Sequence, residues 1–331
     1  MLVLSIVCLL AAVAAGAAVG PVAISPGRIL SDVAARLPLL ETGTRLSERD
    51  AAILWQLRMP RVLLATLVGA MLAASGAAYQ GVFRNPLADP YLLGAASGAA
   101  LGATLVIALG PGTGGMVPPA AFAGALLGVG LAYLLGRSAG GGSGAVTLIL
   151  AGVAVASFLT ALQTFVQQRD QDTFRGVYRW VLGGLATSGW RDVRLILPYV
   201  VVSSVVLLLH RRLLDVMSVG DSEAGSLGVP ARRVRLWVIA AATLGTAAAV
   251  AAGGLIGFVG IIVPHSVRLV AGSSYRLVLP LSLVFGAAFL VLADLLARTV
   301  LSPAELPLGV VTAFFGAPFF AVLLRSGVRS R

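Results

Sequence analysis

The sequence predicts an all-α integral membrane protein with about ten transmembrane helices. Three observations carry that prediction. Of 331 residues, 58% are hydrophobic and 11% charged, far from the roughly 25% charged of a water-soluble domain. Uncharged runs long enough to cross a bilayer follow one another along the chain, and the charges stand singly between them, as loop charges flanking membrane helices do.

Taken in order, Met1 to Ala23 is the first apolar run. No basic segment precedes it, the pattern of a membrane helix in preference to a cleaved signal peptide. Residues 24–56 carry Arg28, Asp32, Arg36, Glu41, Arg45, Glu48, Arg49 and Asp50 with two prolines, which predicts a long external loop. Further uncharged runs are Val62–Val82, Tyr91–Gly110, Met116–Leu135, Ala145–Val166, Leu195–Leu209, Leu277–Ala293 and Leu306–Leu324. Leu236 to Val267 is 32 residues without a formal charge, too many for one span and too few for two. Gly253, Gly254, Gly257, Gly260 and Pro264 break its second half, so one helix to about Ala252 and a short one ending past Pro264 are expected. Within the external stretch 167–192, Tyr178 to Leu185 is apolar but too short to span, which predicts a short helix on the membrane surface. Gly94, Gly98 and Gly102, with Gly124 and Gly128, form G-x-x-x-G steps that allow close helix packing. With the N-terminus inside, the arginines divide twelve to twelve; discounting the long 24–56 loop tilts the bias toward a cytoplasmic N-terminus.

Composition also excludes chemistries. All 24 basic residues are arginine. Without lysine there is no Walker-type P-loop and no Schiff base, so no cofactor is expected on this chain and ATP must be handled by another polypeptide. Cys8 stands alone, which excludes an intramolecular disulfide and a cysteine-rich metal site. His210 and His265 lie 55 positions apart with no acidic residue close to His265, so no metal centre is expected. The net charge of +11 is scattered between apolar runs, which argues for loops beside a lipid bilayer and against nucleic acid. No nucleophile and base stand together, which argues against an intramembrane enzyme.

Several motifs are far from generic: Leu57-Arg58-Met59-Pro60-Arg61; Gln80 to Pro90 with Leu93-Gly94; Leu150 to Ala154; Trp180 to Leu185; Gly257 to His265; Ala293 to Arg298; Pro303 to Gly309; and Gly316 to Phe320. Together, in unbroken order from about Ile24, they resemble the FecCD family, the permeases of ABC importers for iron-siderophore, haem and vitamin B12. The resemblance implies a single permease domain over 1–331 with the type II ABC importer fold, working as a dimer of two copies. It implies two cytoplasmic ABC ATPase subunits, which hold the ATP and Mg, and an external substrate-binding protein. Iron-siderophore is the cargo to which the family points first, with haem and cobalamin as alternatives.

Three constellations follow. In the cytoplasmic loop 211–235, Asp221 or Ser222 can cap a helix, Glu223 suits its first turn, and Gly228 with Pro230 ends it. A helix so short needs a partner to pack on. In the family this position holds the coupling helix that docks on the ATPase, so Asp221, Ser222, Glu223, Ala224, Gly225, Ser226, Leu227 and Gly228 are the expected contact, with Leu227 its apolar anchor. Arg58, Arg61 and Arg298 fall on the outer side of the ten-helix topology, where family permeases present arginines to carboxylates of the binding protein. Arg298 has a local alternative, an ion pair with Asp294 four residues earlier. The translocation path is expected near Gly142, Ser143 and Gly144 and along the last helix between Gly309 and Gly316, where glycine permits hinging. The rival to this reading is a proton-coupled secondary transporter in which the intramembrane carboxylate Asp294 titrates. His265, next to Pro264, is expected to satisfy carbonyls that the proline frees.

Overall fold

The computed structural model describes residues 1–20, 22, 24–36, 44–110, 113–138, 145–169, 171–186 and 189–329. The regular structure of the described residues is helical: α1 (Leu2–Ala18), α2 (Pro26–Arg36), α3 (Glu48–Phe83), α4 (Ala95–Ile107), α5 (Val117–Ser138), α6 (Ala145–Gln167), α7 (Gln171–Val181), α8 (Trp190–Met217), α9 (Asp221–Ser226), α10 (Ala231–Gly253), α11 (Val259–Ala271), α12 (Tyr275–Thr299) and α13 (Leu308–Arg329). Six of these, α3, α5, α6, α8, α10 and α12, are long and apolar enough to cross a membrane; α1, α4, α11 and the stretch Leu308–Val322 of α13 are shorter apolar helices. Together they are the ten that the hydropathy pattern predicts.

α3 forms the centre. From Gly69 to Gly81 eight of its thirteen residues are alanine or glycine, and it packs on α8, α10, α11 and α12. Lipid gives helices no hydrophobic reason to associate, so small residues that admit close backbones set the contacts. Gly69 lies against the Gly286 carbonyl of α12 and Gly76 against the Gly260 carbonyl of α11. Buried polar pairs add direction: Tyr79 Oη and Thr243 Oγ1 are 2.8 Å apart, and Ser75 Oγ donates to the Ala242 carbonyl at 3.0 Å. The glycine steps of α4 and α5 face each other, with Gly98 on the Gly124 carbonyl, Gly102 on the Ala120 carbonyl and Gly128 on the Gly94 carbonyl.

α4 and α11 have 13 residues each, about 20 Å of rise and short of the roughly 30 Å hydrocarbon layer. Non-helical segments 84–94 and 254–258 make up the difference, and Ala88, Leu93 and Ile256 within them are buried. Irregular backbone at membrane depth is tolerated where protein covers it. The break in the 236–267 run thus falls where its glycines predict.

Two boundaries differ from expectation. α3 begins at Glu48, inside the predicted loop 24–56, because Ser47 Oγ accepts from the Asp50 amide at 3.2 Å and Glu48 and Asp50 favour the first turn. The short helix α7, expected over the apolar Tyr178 to Leu185, ends at Val181, because Gly183 turns left-handed (φ 69°) and the carbonyls of Leu182 and Gly183 are taken by the first amides of α13. α2 is clasped onto α3 through Asp32, whose carboxylate accepts from the Leu46 amide (3.0 Å), Trp55 Nε1 (2.8 Å) and Arg36 Nε (2.8 Å). Burial pushes the Asp32 carboxyl up, but those hydrogen bonds outweigh it and hold it below its ordinary value of 3.8.

Two predictions follow from this packing. Gly76→Ala places a Cβ into the Gly260 carbonyl and is expected to destabilise the detergent-solubilised protein by about 1–3 kcal/mol, whereas Gly130→Ala, whose Cβ meets open space, leaves the melting temperature in place. Asp32→Ala leaves buried donors unpaired, a cost of about 1–3 kcal/mol. Because the folded-state value of Asp32 is lowered, its stabilisation is present above about pH 4 and is lost as pH falls through that lowered value. The acid limb of a pH–stability curve therefore flattens in Asp32→Ala.

Candidate functional site

The three arginines singled out by sequence meet at one end of the bundle. Arg58 ends a π-turn, Ile53–Arg58, in α3. In that wider turn each amide reaches the carbonyl five residues back, as Met59 does to Leu54. Pro60 has no amide, so the Trp55 carbonyl lacks its helical donor, and Trp190 Nε1 supplies one from α8 at 2.7 Å. The Arg58 guanidinium donates to the carbonyls of Ala17 (3.0 Å), Ala18 (2.9 Å) and Val22. Arg298 donates to the Gly16 carbonyl at 2.5 Å. The C-terminal carbonyls of α1, which has no basic residue in its own last turn, are thus capped by arginines borrowed from α3 and α12.

Arg61 faces two carboxylates. Its Nε donates to Asp294 (2.9 and 3.1 Å) and its Nη2 lies 2.9 Å from Asp294 Oδ1, while Nη1 and Nη2 also grip Glu305 Oε1 and Oε2 at 2.8 and 3.0 Å. Asp294 also has Arg298 Nε at 3.8 Å, so the local pair expected for Arg298 is present. Arg58 and Arg298 are 5% and 6% exposed and the Arg61 side chain is 11% exposed, whereas Glu305, on the outer edge of the Arg61 fork, has a side chain 38% exposed. Arg58 and Arg298 hold helix ends in this structure, and Glu305, with Arg61 behind it, forms the accessible part of the cluster. Glu305 stands in the Pro303–Gly309 motif, but nothing in the sequence links it to Arg61, 244 positions away.

At the opposite end, α9 spans Asp221–Ser226, six residues, with Leu227 following it and Gly228 (φ 78°) turning the chain. The cap is Gly220 in place of Asp221 or Ser222, because the Asp221 carboxylate is drawn to Arg235 Nη2 (2.7 Å) and Arg84 Nη2 (3.6 Å). Arg84 is the left-handed C-cap of α3 and Arg235 belongs to the first turns of α10, so one carboxylate joins α9 to two spans. Ala224 is buried; Ser222, Glu223, Gly225, Ser226 and Leu227 face outward, Leu227 being 67% exposed. Nearby, Gln80 of α3 donates to the Gly260 carbonyl (3.0 Å) and accepts from Arg268 of α11 (2.5 Å), a junction that sequence reasoning did not single out.

Between the ends, the break 254–258 is the feature on which α13 rests. Tyr91 Oη donates to the Ile256 carbonyl (3.1 Å) and accepts from its amide (3.2 Å). The amides of Leu308 and Gly309 donate to Gly183 and Leu182 at 3.1 Å, and Gly184 donates to Gly253 at 2.9 Å. Gly309 lies where a Cβ would press on the Leu182 and Leu255 carbonyls, and Gly316 where it would enter the ring of Phe258, itself left-handed at φ 69°. Here both glycines serve close approach. Gly142, Ser143 and Gly144 lie outside the described residues. His265 meets the Phe319 ring edge-on at 5.8 Å. A cavity of about 660 Å³ opens beside the break, lined by Arg179, Trp180, Gly183, Asp192, Ala252 and Gly254 among others.

Arg58→Ala removes donors from three carbonyls near the end of α1 and is expected to destabilise the protein by about 1–3 kcal/mol, read as a lower melting temperature in detergent.

Known proteins are similar to this chain in sequence and fold. The FecCD transport family matches residues 6–326. A cobalamin import system permease of Halobacterium salinarum is 45% identical over 278 residues, 84% of this chain and 74% of that protein. The Fe(3+) dicitrate transport system permease FecC of Escherichia coli is 39% identical over 281 residues, 83% of each chain. A metal-chelate-type ABC transporter solved in an inward-facing conformation has a TM-score of 0.86, at 30% identity over 98% of both chains. The match runs through the arginine cluster, the α9 loop and the broken helix alike, and the chain belongs to the FecCD transport family as a multi-pass membrane permease.

Proposed function

We propose that the chain is the membrane-spanning subunit of an ATP-driven importer that carries a bulky metal chelate across the bacterial inner membrane by alternating access. Two copies enclose the path, two cytoplasmic ABC ATPase subunits hold the ATP and Mg, and an external binding protein delivers cargo. The observation that carries the reading is α9: a capped, six-residue helix tied to α3 and α10 through Asp221, with Leu227 standing in the open beside it. A helix of that length is stable only when packed, and an exposed leucine at its end suits a groove on a second protein. Movement of α9 would reach Arg84 and Arg235 directly, and through them the central helix.

Docking of the binding protein is assigned to the Arg58, Arg61 and Arg298 end, with Arg61 the accessible member. The path is assigned to α13 from Gly309 to Gly316 against the 254–258 break. Asp294, flanked by Arg61 and Arg298, belongs to the outer clasp in this reading and needs no part in a proton cycle. Ferric siderophore is the preferred cargo. A haem site would gain from histidine on the path; His210 lies in the half of α8 nearer α9, and His265 sits at the midpoint of α11 beside Phe319 of α13. The two relatives named above differ in cargo name at similar identity, so the chelate is assigned by experiment.

The test is ATP hydrolysis by the purified complex in response to binding protein loaded with ferric siderophore, haem or cobalamin. Stimulation by one loaded form is expected; uptake that follows a proton gradient with no ATPase in the complex refutes the importer. The double substitution Gly225→Asp and Leu227→Asp is expected to leave the melting temperature unchanged and to remove the ATPase from the purified complex. Unaltered subunit stoichiometry would overturn the role of α9.

A further inference from the structure

Arg61 presents two edges. The inner edge, Nε with Nη2, is fixed on Asp294, whose side chain is 2% exposed, and Nη2 is shared between the two edges. The outer edge, Nη1 and Nη2, holds Glu305 in a two-bond fork at the surface. Arg58 and Arg298 are committed to the carbonyls around the end of α1 and are buried, so the outer edge of Arg61 is the part of the cluster that an arriving carboxylate reaches. Fork geometry admits one carboxylate there at a time.

Glu305 belongs to the non-helical segment Val300–Pro307, which ends α12 and leads straight into α13. Within it Ala304 donates to Leu301 and Leu306 to Ala297, and beyond it Leu308 and Gly309 hang on the carbonyls of Gly183 and Leu182. Glu305 on Arg61 is thus one of the ties on the segment that leads into the proposed path helix.

We infer that Glu305 is an internal stand-in for a partner's carboxylate, and that docking of the external binding protein exchanges its own carboxylate for Glu305 on Arg61 and releases the 300–307 segment. The inference rests on the docking reading above. The exchange replaces one carboxylate by another, so the Nη1 end of Arg61, whose side chain is 11% exposed, keeps a charged partner while Asp294 holds the other side throughout. Glu305 thereby sets both the affinity of docking and the moment at which the start of α13 becomes free.

The experiment uses the permease–ATPase complex in lipid nanodiscs, titrated with the purified, cargo-free binding protein of the same importer. Glu305→Gln keeps the shape and removes the competing charge; binding is expected to tighten about 3- to 10-fold. Arg61→Lys keeps a charge on Asp294 and loses the fork; binding is expected to weaken about tenfold, and Glu305→Gln to have no further effect in that background. Hydrogen exchange of the amides of residues 301, 302 and 304–306 is expected to rise on docking in the natural protein and to be high beforehand in Glu305→Gln. Unchanged or weaker binding by Glu305→Gln, while Arg61→Lys weakens it, overturns the stand-in role and leaves the docking reading intact. Binding unaffected by Arg61→Lys removes the docking role of Arg61 and the inference with it. Should Glu305→Gln fail to fold, exchange at 301–306 in the natural protein decides, and no rise on docking overturns the proposal.

Discussion

A backbone amide or carbonyl inside a bilayer meets no water, so each one that leaves a helix must be answered by another protein group. Much of this structure consists of such answers. Pro60 leaves the Trp55 carbonyl without its donor, and Trp190 supplies one. The connection 254–258 leaves the two polar groups of Ile256 outside any helix, and a single phenol on Tyr91 meets both. α1 stops with its last carbonyls pointing into the bundle, and Arg58 and Arg298 reach across to them. The donors come from distant parts of the chain, which binds local irregularities into the global fold.

The same requirement explains why the interior tolerates so little bulk. A donor can reach a carbonyl on a neighbouring helix only if the two helices lie close, and closeness here is set by glycine and alanine on α3, α4, α5 and α12. Gln80 shows the combination: from a small-residue stretch of α3 it reaches the Gly260 carbonyl at the start of α11 and takes a hydrogen bond from Arg268 two turns further along. Small residues and long polar side chains divide the labour, the first setting distance and the second closing what distance exposes.

Hydropathy and breakers alone make the helix set legible, including the interruption after Ala252, because span length and glycine content are local properties. The glycine steps of α4 and α5 are legible for the same reason. The start of α3 was written in Ser47, Glu48 and Asp50, yet composition argued for a loop, and the cap is the better guide. The arginine cluster was legible as three positions and not as an arrangement. That Arg58 turns inward while Arg61 holds Glu305 depends on which carbonyls and carboxylates stand opposite, and these come from residues 40 and 244 positions away. Pro60 within the Leu57–Arg61 motif was the visible trace of the π-turn. Asp221 read as a cap becomes a tie between helices because Arg84 and Arg235 compete for it more strongly than an amide does.

The contact between α4 and α5 has a mechanical consequence. Gly98 sits on the Gly124 carbonyl while Gly124 sits on that of Gly98, and one-way contacts of the same kind flank this pair, Gly102 on the Ala120 carbonyl and Gly128 on that of Gly94. Sliding one helix by a single residue would bring an alanine, leucine or serine side chain into a space that holds only a hydrogen atom. The pair is therefore a gear with its teeth engaged, free to be carried but closed to shear. Changes of shape in the bundle must then be taken up at the non-helical joints 84–94, 254–258 and 300–307, with α4 and α5 travelling between them as one rigid block.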